Sequence, residues 1–175
     1  MTMFAKRPNQ VRQEISIAGQ QIVMAFDGTT VWTINPMTGS TAPVPVTGPE
    51  GEMLKEQASF DGPLLDYKAQ GSTVTFVGAE TIDGRPMHHL KVVPKSGLTQ
   101  DIYLDATTGL EARQVIAGPA GAVVMEFSDY RTVSGLRVPF SIKMSQGGQA
   151  MGEMRISNVE LTVPIDDALF KMGGK

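Results

Sequence analysis

Alternation of apolar and polar residues is the feature that most constrains the fold of this 175-residue chain. It recurs in short segments about ten residues apart, separated by Gly, Pro, Asn and Asp. Asp27-Gly28, Asp83-Gly84 and Gly147-Gly148 are dipeptides that favour tight turns between paired strands,. Because side chains of a strand point alternately to its two faces, residues 11–17 read as a strand with one apolar face,. The sequence therefore predicts a mainly β protein with antiparallel pairing.

The expected architecture is an open, strongly curved antiparallel sheet, a half-barrel, of about nine or ten strands in chain order. Residues 41–46 are extended, but Pro43 and Pro45 restrict them to a sheet edge or an irregular strand,. The last strand is expected over 149–163, followed by a short turn of helix over 165–170,. No linker or repeat interrupts the pattern, so we predict one domain over residues 1–175,.

One interior stretch departs from strand periodicity. Residues 50–60 carry Met53 and Leu54 at a spacing that suits a short amphipathic helix,. Gly62-Pro63 interrupts it, and Leu64 and Leu65 begin a second expected helical turn,. We interpret residues 50–68 as a helical insert that packs as a lid across one face of the sheet,.

Composition and charge exclude several classes of function. The net charge of −3 and pI of about 5.4 provide no basic surface for nucleic acid,. The absence of cysteine excludes disulfides and thiol chemistry,. No apolar run is long enough to span a membrane, and the first residues show no signal-peptide pattern,. From these residues alone, we expect the protein either to be cytoplasmic or to have an export signal outside this chain,.

Residues that commonly carry catalysis or bind metal form no recognised pattern. His88 and His89 are the only histidines, and neighbours on a strand point to opposite faces, so they make a poor metal site,. No motif for a cofactor, a phosphate-binding loop or a hydrolase nucleophile is present,. We expect no enzyme activity, no cofactor and no metal. The turn and strand-end carboxylates are expected to cap turns or face water: Asp101, Asp105, Asp129, Asp166 and Asp167,.

A half-open sheet under a lid leaves an apolar space that either holds a hydrophobic ligand or is a filled core. Strand residues of one apolar face and the lid residues would line this space, and eleven methionines supply adaptable apolar side chains,. The predicted lining consists of Val11, Ile15, Ile17, Ile22, Met24, Phe26, Trp32, Ile34, Met53, Leu54, Leu64 and Leu65.

The first third of the chain carries two segments with a family resemblance. Lys6-Arg7-Pro8-Asn9 resembles the KRP segment, and residues 26–32 with Asn35-Pro36 resemble the DGxxxW…NP hairpin, of the LolA/LolB superfamily of periplasmic lipoprotein carriers. Later segments are similar to bacterial outer-membrane lipoprotein-sorting proteins. These are Tyr103-Leu104-Asp105 with Thr108-Gly109-Leu110, Asp129-Tyr130-Arg131 with Gly135-Leu136 and Pro139, and Ile165-Asp166-Asp167 with Phe170.

The resemblance implies a periplasmic, non-enzymatic carrier. Its cavity would hold the acyl chains of lipoproteins or other lipids, and membrane proteins would be its partners. Arg7 matches the arginine that tethers the lid in those carriers, and the five donors of a guanidinium suit that role,. Superfamily members have a long helix and a further strand before this segment, whereas six residues precede Arg7 here. We therefore expect an uncovered edge strand, which invites a homodimer.

Two other functions remain open at this stage. Gln13 and Glu14 stand where the carriers are more aromatic, so the cavity could suit another ligand. An envelope sensor or interaction domain would use the concave sheet or its edge to bind a protein segment. An enzyme on this scaffold would need a polar cluster, for which His88, Glu14 and Asp101 are the candidates,.

Overall fold

The computed structural model describes residues 1–58, 61–95, 97–118 and 121–173. The chain divides into two compact units, Met1–Leu65 with Pro164–Lys175, and Asp66–Val163. Each unit contains one antiparallel sheet. The prediction of a single domain over the whole chain stays a prediction.

The first unit holds a five-stranded sheet in which each strand pairs with the next along the chain. The β2–β3 turn contains Ala18 and Gly19, both with positive φ, which fits a tight connection between paired strands,. At the other end, Pro43 and Pro45 lie on the edge strand, as their missing N–H groups require,. The strands are β1 (Thr2–Lys6), β2 (Gln10–Ile17), β3 (Gln20–Phe26), β4 (Val31–Asn35) and β5 (Ser40–Pro45).

Helix α1 (Gly48–Gln57) follows β5 and confirms the expected helical insert at nearly the expected position. The second expected helical turn is wrong: residues 61–71 form turns. Gly62 and Asp66 have φ of 68° and 49°, in the left-handed region that a right-handed helix cannot include,. A 3₁₀ turn over Pro36–Thr38 separates β4 from β5, and another over Asp167–Leu169 confirms the short closing turn.

The C-terminal segment covers one face of the five-stranded sheet. Trp32 is buried on this face with Val23 and Ala25. Its indole Nε1 donates to the Phe170 carbonyl oxygen at 2.8 Å. Arg12 donates from Nη1 to the carbonyl oxygen of Leu169 at 2.9 Å. Buried Trp32 and Phe170 therefore form the core on this side of the sheet.

The second unit is a seven-stranded meander in which every strand pairs with its sequence neighbour. Ile102 and Val92 are fully buried within it, and Met87 is nearly so. The strands are β6 (Thr73–Ile82), β7 (Arg85–Val93), β8 (Gln100–Asp105), β9 (Glu111–Ile116), β10 (Val123–Val133), β11 (Leu136–Gln146) and β12 (Gln149–Arg155).

These elements confirm the mainly β, open antiparallel fold class, since neither sheet closes on itself among the described residues. The described residues form twelve strands in two sheets, whereas the sequence predicts about nine or ten in one sheet,. Strand β1 precedes Arg7 and forms the edge beside β2. The last strand ends at Arg155 instead of Val163, and beyond it the Ile156 N–H donates to the Phe140 carbonyl oxygen at 2.9 Å. The expected turns at Ser96 and over 119–120 lie partly outside the described residues.

Candidate functional site

One face of the five-stranded sheet collects apolar side chains from three adjacent strands. The antiparallel register sets Val11 opposite Phe26, and Phe26 opposite Val31. Gln13 lies opposite Met24 in the next row of the same face. Because directly opposed residues share a face, these five side chains form one surface, here called the helix face.

Helix α1 and the residue that follows it pack on the helix face. Leu54, in α1, and Ala58, directly after its end, are four residues apart and contact the cluster around Phe26 and Val31,. A cavity of about 20 Å³ remains between helix and sheet. That volume holds about one water molecule, so the helix face is closed in this conformation.

The start of α1 lies unusually close to the end of β5. A Cβ added at Gly51 would lie 2.7 Å from the Val46 carbonyl oxygen. Val46 is itself held to β4, since its N–H donates to the Val31 carbonyl oxygen at 2.8 Å. Glycine at position 51 therefore allows the first turn of the helix to approach the sheet.

The structure brings together some of the predicted cavity residues. Val11, Met24, Phe26 and Leu54 line the small cavity beneath α1. Ile15 and Ile22 oppose each other farther along the same face and are half-buried.

The other predicted lining residues are not brought to this cavity. Ile17 and Leu65 are exposed, and Leu64 is half-buried in the turns after α1. Trp32 and Ile34 lie on the opposite face of the sheet, with Val23. Met53 lies in α1, but its side chain is outside what the structure describes.

Gln13, Ala25, Val31 and Ala58 complete the cavity lining and were absent from the predicted set. The sequence contains a signal for Val31. A hairpin turn that Asp27 and Thr30 close places the residue before it, Phe26, opposite the residue after it, Val31. Asp27 closes that turn by accepting hydrogen bonds from the N–H groups of Thr29 and Thr30,.

Arg7 lies in the β1–β2 connection and pairs with Asp61, in the turns that follow α1. Its Nε donates to Asp61 Oδ1 at 2.8 Å, and its Nη2 lies 2.7 Å from the same oxygen. The hydrogen bond and charge of Asp61 raise the pKa of Arg7, so the guanidinium stays charged. This contact connects the sheet to the chain leaving the helix, which is where a lid tether would act.

A polar cluster centred on His89 occupies the seven-stranded sheet. His89 Nδ1 lies 2.7 Å from Glu80 Oε1, and Nε2 lies 2.9 Å from Asp101 Oδ1. The imidazole stacks on the Tyr103 ring with centroids 4.4 Å apart. Both ring nitrogens face carboxylates, so the doubly protonated imidazolium satisfies every contact. His88 lies on the other face, edge-on to Phe76, as adjacent strand residues must,.

Of the three residues weighed as an enzyme cluster, Glu14 belongs to the first unit and His88 and Asp101 belong to the second. Asp101 pairs with His89, whereas Glu14 accepts from Arg12 at 2.7 Å and from Gln21 at 3.0 Å. Within the described ranges, no group of three or more His, Asp or Glu side chains has the geometry of a metal site. No helix among the described residues has the length and apolarity needed to cross a bilayer.

We predict that His89 stabilises the fold in acid more than in base. Burial lowers its pKa, but hydrogen bonds and charges from Asp101 and Glu80 outweigh burial and raise it. A raised histidine pKa gives stability that is present below about pH 6.5 and is lost as pH rises through the folded value. His89→Gln should therefore lower the urea midpoint at about pH 5.5 more than at about pH 9.

His88→Gln is the matched control for this measurement, because His88 is exposed on the opposite face. It should leave the midpoint nearly unchanged at both pH values. An equal loss at both pH values for His89→Gln would show a packing role without a charge contribution.

Comparison with solved structures finds similar folds at low sequence identity. A LolA superfamily protein from Nitrosomonas europaea matches with a TM-score of 0.62 and 12% identity, over 97% of this chain and 79% of that one. A DUF1329 family protein from Desulfovibrio piger matches with a TM-score of 0.54 and 13% identity, over 94% and 81%.

A third similar structure is a domain named as an outer-membrane lipoprotein-sorting protein, from Vibrio parahaemolyticus. Its TM-score is 0.53 at 12% identity, over 91% of this chain and 77% of that one. No protein-family model and no curated protein matches the sequence. At these identities the comparisons establish the fold: the chain has a LolA-like fold, as its sequence motifs indicated.

Proposed function

We propose that this chain is a periplasmic carrier that takes up an acyl chain of a lipoprotein or lipid between the helix face and α1. The observation that carries the proposal is the packing of a short helix on an apolar sheet face, where Leu54 contacts Phe26 and Val31 beside a small cavity. The LolA-like fold supports it, since two of the similar structures are named for the LolA superfamily and for lipoprotein sorting.

Uptake in this account requires α1 to move. The cavity of about 20 Å³ is too small for an acyl chain, so the described conformation is the closed, unloaded one,. Lifting α1 would expose Val11, Met24, Phe26 and Val31 as a continuous apolar strip. An acyl chain laid on this strip gains about 0.8 kcal/mol for each buried CH₂ group, which offsets separation of the helix from the sheet.

Membrane proteins that load or unload the carrier, and a homodimer through an edge strand, remain predicted partners. Strand β1 is one such edge, and it exposes Met3. The chemistry of the helix face calls for no cofactor.

Co-purified lipid is the direct test of the proposal. The chain would be exported to the periplasm of a bacterial host, purified without detergent and weighed by native mass spectrometry before and after organic extraction. We expect a lipid adduct on the wild type. Met24→Glu places a charge on the helix face and should abolish the adduct,. Met37→Glu is the matched control, since Met37 is exposed on the 3₁₀ turn, and it should keep the adduct. An adduct-free wild type, or equal adducts on both variants, would contradict the proposal.

We further predict that the Arg7–Asp61 pair restrains α1. Arg7→Gln should raise amide hydrogen exchange in residues 48–58 and speed association of a fluorescent fatty acid, because the tether to Asp61 is lost,. The matched control is Arg131→Gln, which removes an exposed pair with Asp129 in the seven-stranded sheet. Unchanged exchange in α1 after Arg7→Gln would remove the tether from the mechanism.

A second candidate is an interaction domain that binds an extended protein segment. Edge strand β6 supports it, because Phe76 and Val77 are exposed on an otherwise pairing-competent strand,. In that case the helix face is a filled core, and Met24→Glu would destabilise the fold while no lipid is found on the wild type.

A further inference from the structure

A row of charged side chains crosses three strands of the seven-stranded sheet. The register sets Glu126 opposite Arg113 on one side and opposite Lys143 on the other. The three side chains therefore lie next to one another on one face of the sheet. This row is separate from the helix face, which belongs to the other unit.

The row forms one wall of a cavity of about 150 Å³. Buried Met87 and Ala112 contribute apolar lining, and the β6–β7 turn contributes Asp83 and Arg85. The volume is enough for several water molecules, so a small polyatomic ion fits inside. The full lining is Ile82, Asp83, Arg85, Met87, Ala112, Arg113, Glu126, Phe127, Ser128 and Lys143.

The cations at this cavity are incompletely paired. Arg113 forms a long ion pair with Glu126, with 3.5 Å between Nη2 and Oε1, and its Nε is buried without a hydrogen-bond partner. Arg85 and Lys143 make no hydrogen bond or ion pair within the described part of the chain. At longer range, the charge of Arg85 acts on Asp105 and the charge of Lys143 acts on Glu153. The lining therefore carries positive charge that its own carboxylates do not neutralise, which favours an anion in the cavity,.

We propose that this cavity binds a phosphate group, either as free phosphate or as the monoester of a small polyol. Three cations outnumber the two carboxylates of the lining, and a guanidinium matches the geometry of phosphate oxygens,. In this site the guanidinium of Arg113 donates to the phosphate from its terminal NH₂ groups, while Arg85 and Lys143 balance the phosphate charge. The site does not depend on the carrier proposed above.

The test is calorimetric titration of the full chain with inorganic phosphate and, separately, with glycerol 1-phosphate at constant ionic strength. Arg113→Gln should weaken binding about tenfold, the value of one lost charge-assisted hydrogen-bonding group. Glu126→Gln should strengthen binding, because it removes the carboxylate between the two cations,. This gain keeps the test informative even if Arg113→Gln disturbs the fold.

Arg155→Gln is the matched control, since it removes the same charge from the same sheet but lies outside the cavity, paired with Glu153. It should leave binding unchanged. Tighter binding of glycerol 1-phosphate would identify a phosphate monoester as the ligand, and equal or tighter binding of inorganic phosphate would identify the free ion. No heat with either compound, or equal weakening by Arg113→Gln and Arg155→Gln, would overturn the site.

Discussion

Replacing Trp32 by alanine is expected to lower the free energy of unfolding by about 3 to 5 kcal/mol, in line with aromatic truncations in protein cores. Trp32 is 1% exposed and packs with Val23 and Ala25. Its indole N–H donates to the Phe170 carbonyl oxygen at 2.8 Å, so the side chain also holds the C-terminal segment on the sheet. Such a loss is a large part of the stability of a typical domain.

Trp32→Phe separates the two contributions. It keeps a large apolar ring but leaves the Phe170 carbonyl without its donor, at a cost of about 1 to 3 kcal/mol,. Urea unfolding followed by circular dichroism measures both variants. Met37→Ala, at an exposed position, should change little. A loss for Trp32→Ala no greater than that of Met37→Ala would show that the C-terminal segment does not pack on the sheet.

Replacing Glu111 by glutamine should stabilise the chain at about pH 8, by roughly 2 to 3 kcal/mol. Burial raises the pKa of Glu111 from 4.5 to about 7, and its Oε1 has no hydrogen-bond partner. The folded state therefore binds this proton more tightly than the unfolded state. Stability falls as pH rises from 4.5 to about 7, and the cost of the buried charge persists above that range,. Glutamine stays neutral throughout.

The expected difference between Glu111→Gln and wild type is thus near zero at about pH 4 and largest at about pH 8. Urea unfolding across this range measures it. Glu153→Gln is a control of opposite sign, because hydrogen bonds from Arg155 and Ser141 lower the pKa of Glu153. A pH-independent difference for Glu111→Gln would mean that Glu111 is not buried as a titrating carboxyl. Tyr130 reports on the same region, since burial and the neighbouring charge of Glu111 raise its pKa to about 12.

Local patterns predicted the strands well because the signals are local. Alternation located β2 and β3, and Asp83-Gly84 located the turn between β6 and β7. Helical spacing of apolar residues predicted α1, whereas the turns over residues 61–71 include positive φ at Gly62 and Asp66. An aspartate with positive φ has no distinctive sequence signal, so the second helical turn was not recognisable as wrong.

The candidate site was harder to predict because it depends on register and on distant contacts. Trp32 opposes Ala25, which places it away from Met24 and Phe26. The segment that covers Trp32 contains Phe170, which is 138 residues away in the sequence. The His89 cluster likewise requires the hairpin register, in which Glu80 opposes Met87 and so lies diagonally from His89. None of these three placements can be predicted from one segment of the sequence alone.

The central claim, that acyl chains bind between the helix face and α1, is tested most directly by photolabelling. The full chain would be irradiated with a photoreactive fatty acid, digested and mapped by mass spectrometry, with unlabelled fatty acid as competitor. The account predicts competable label in peptides from β2, β3, β4 and α1, which carry Val11, Met24, Val31 and Leu54. Competable label confined to residues 66–163, or no competable label at all, would contradict it.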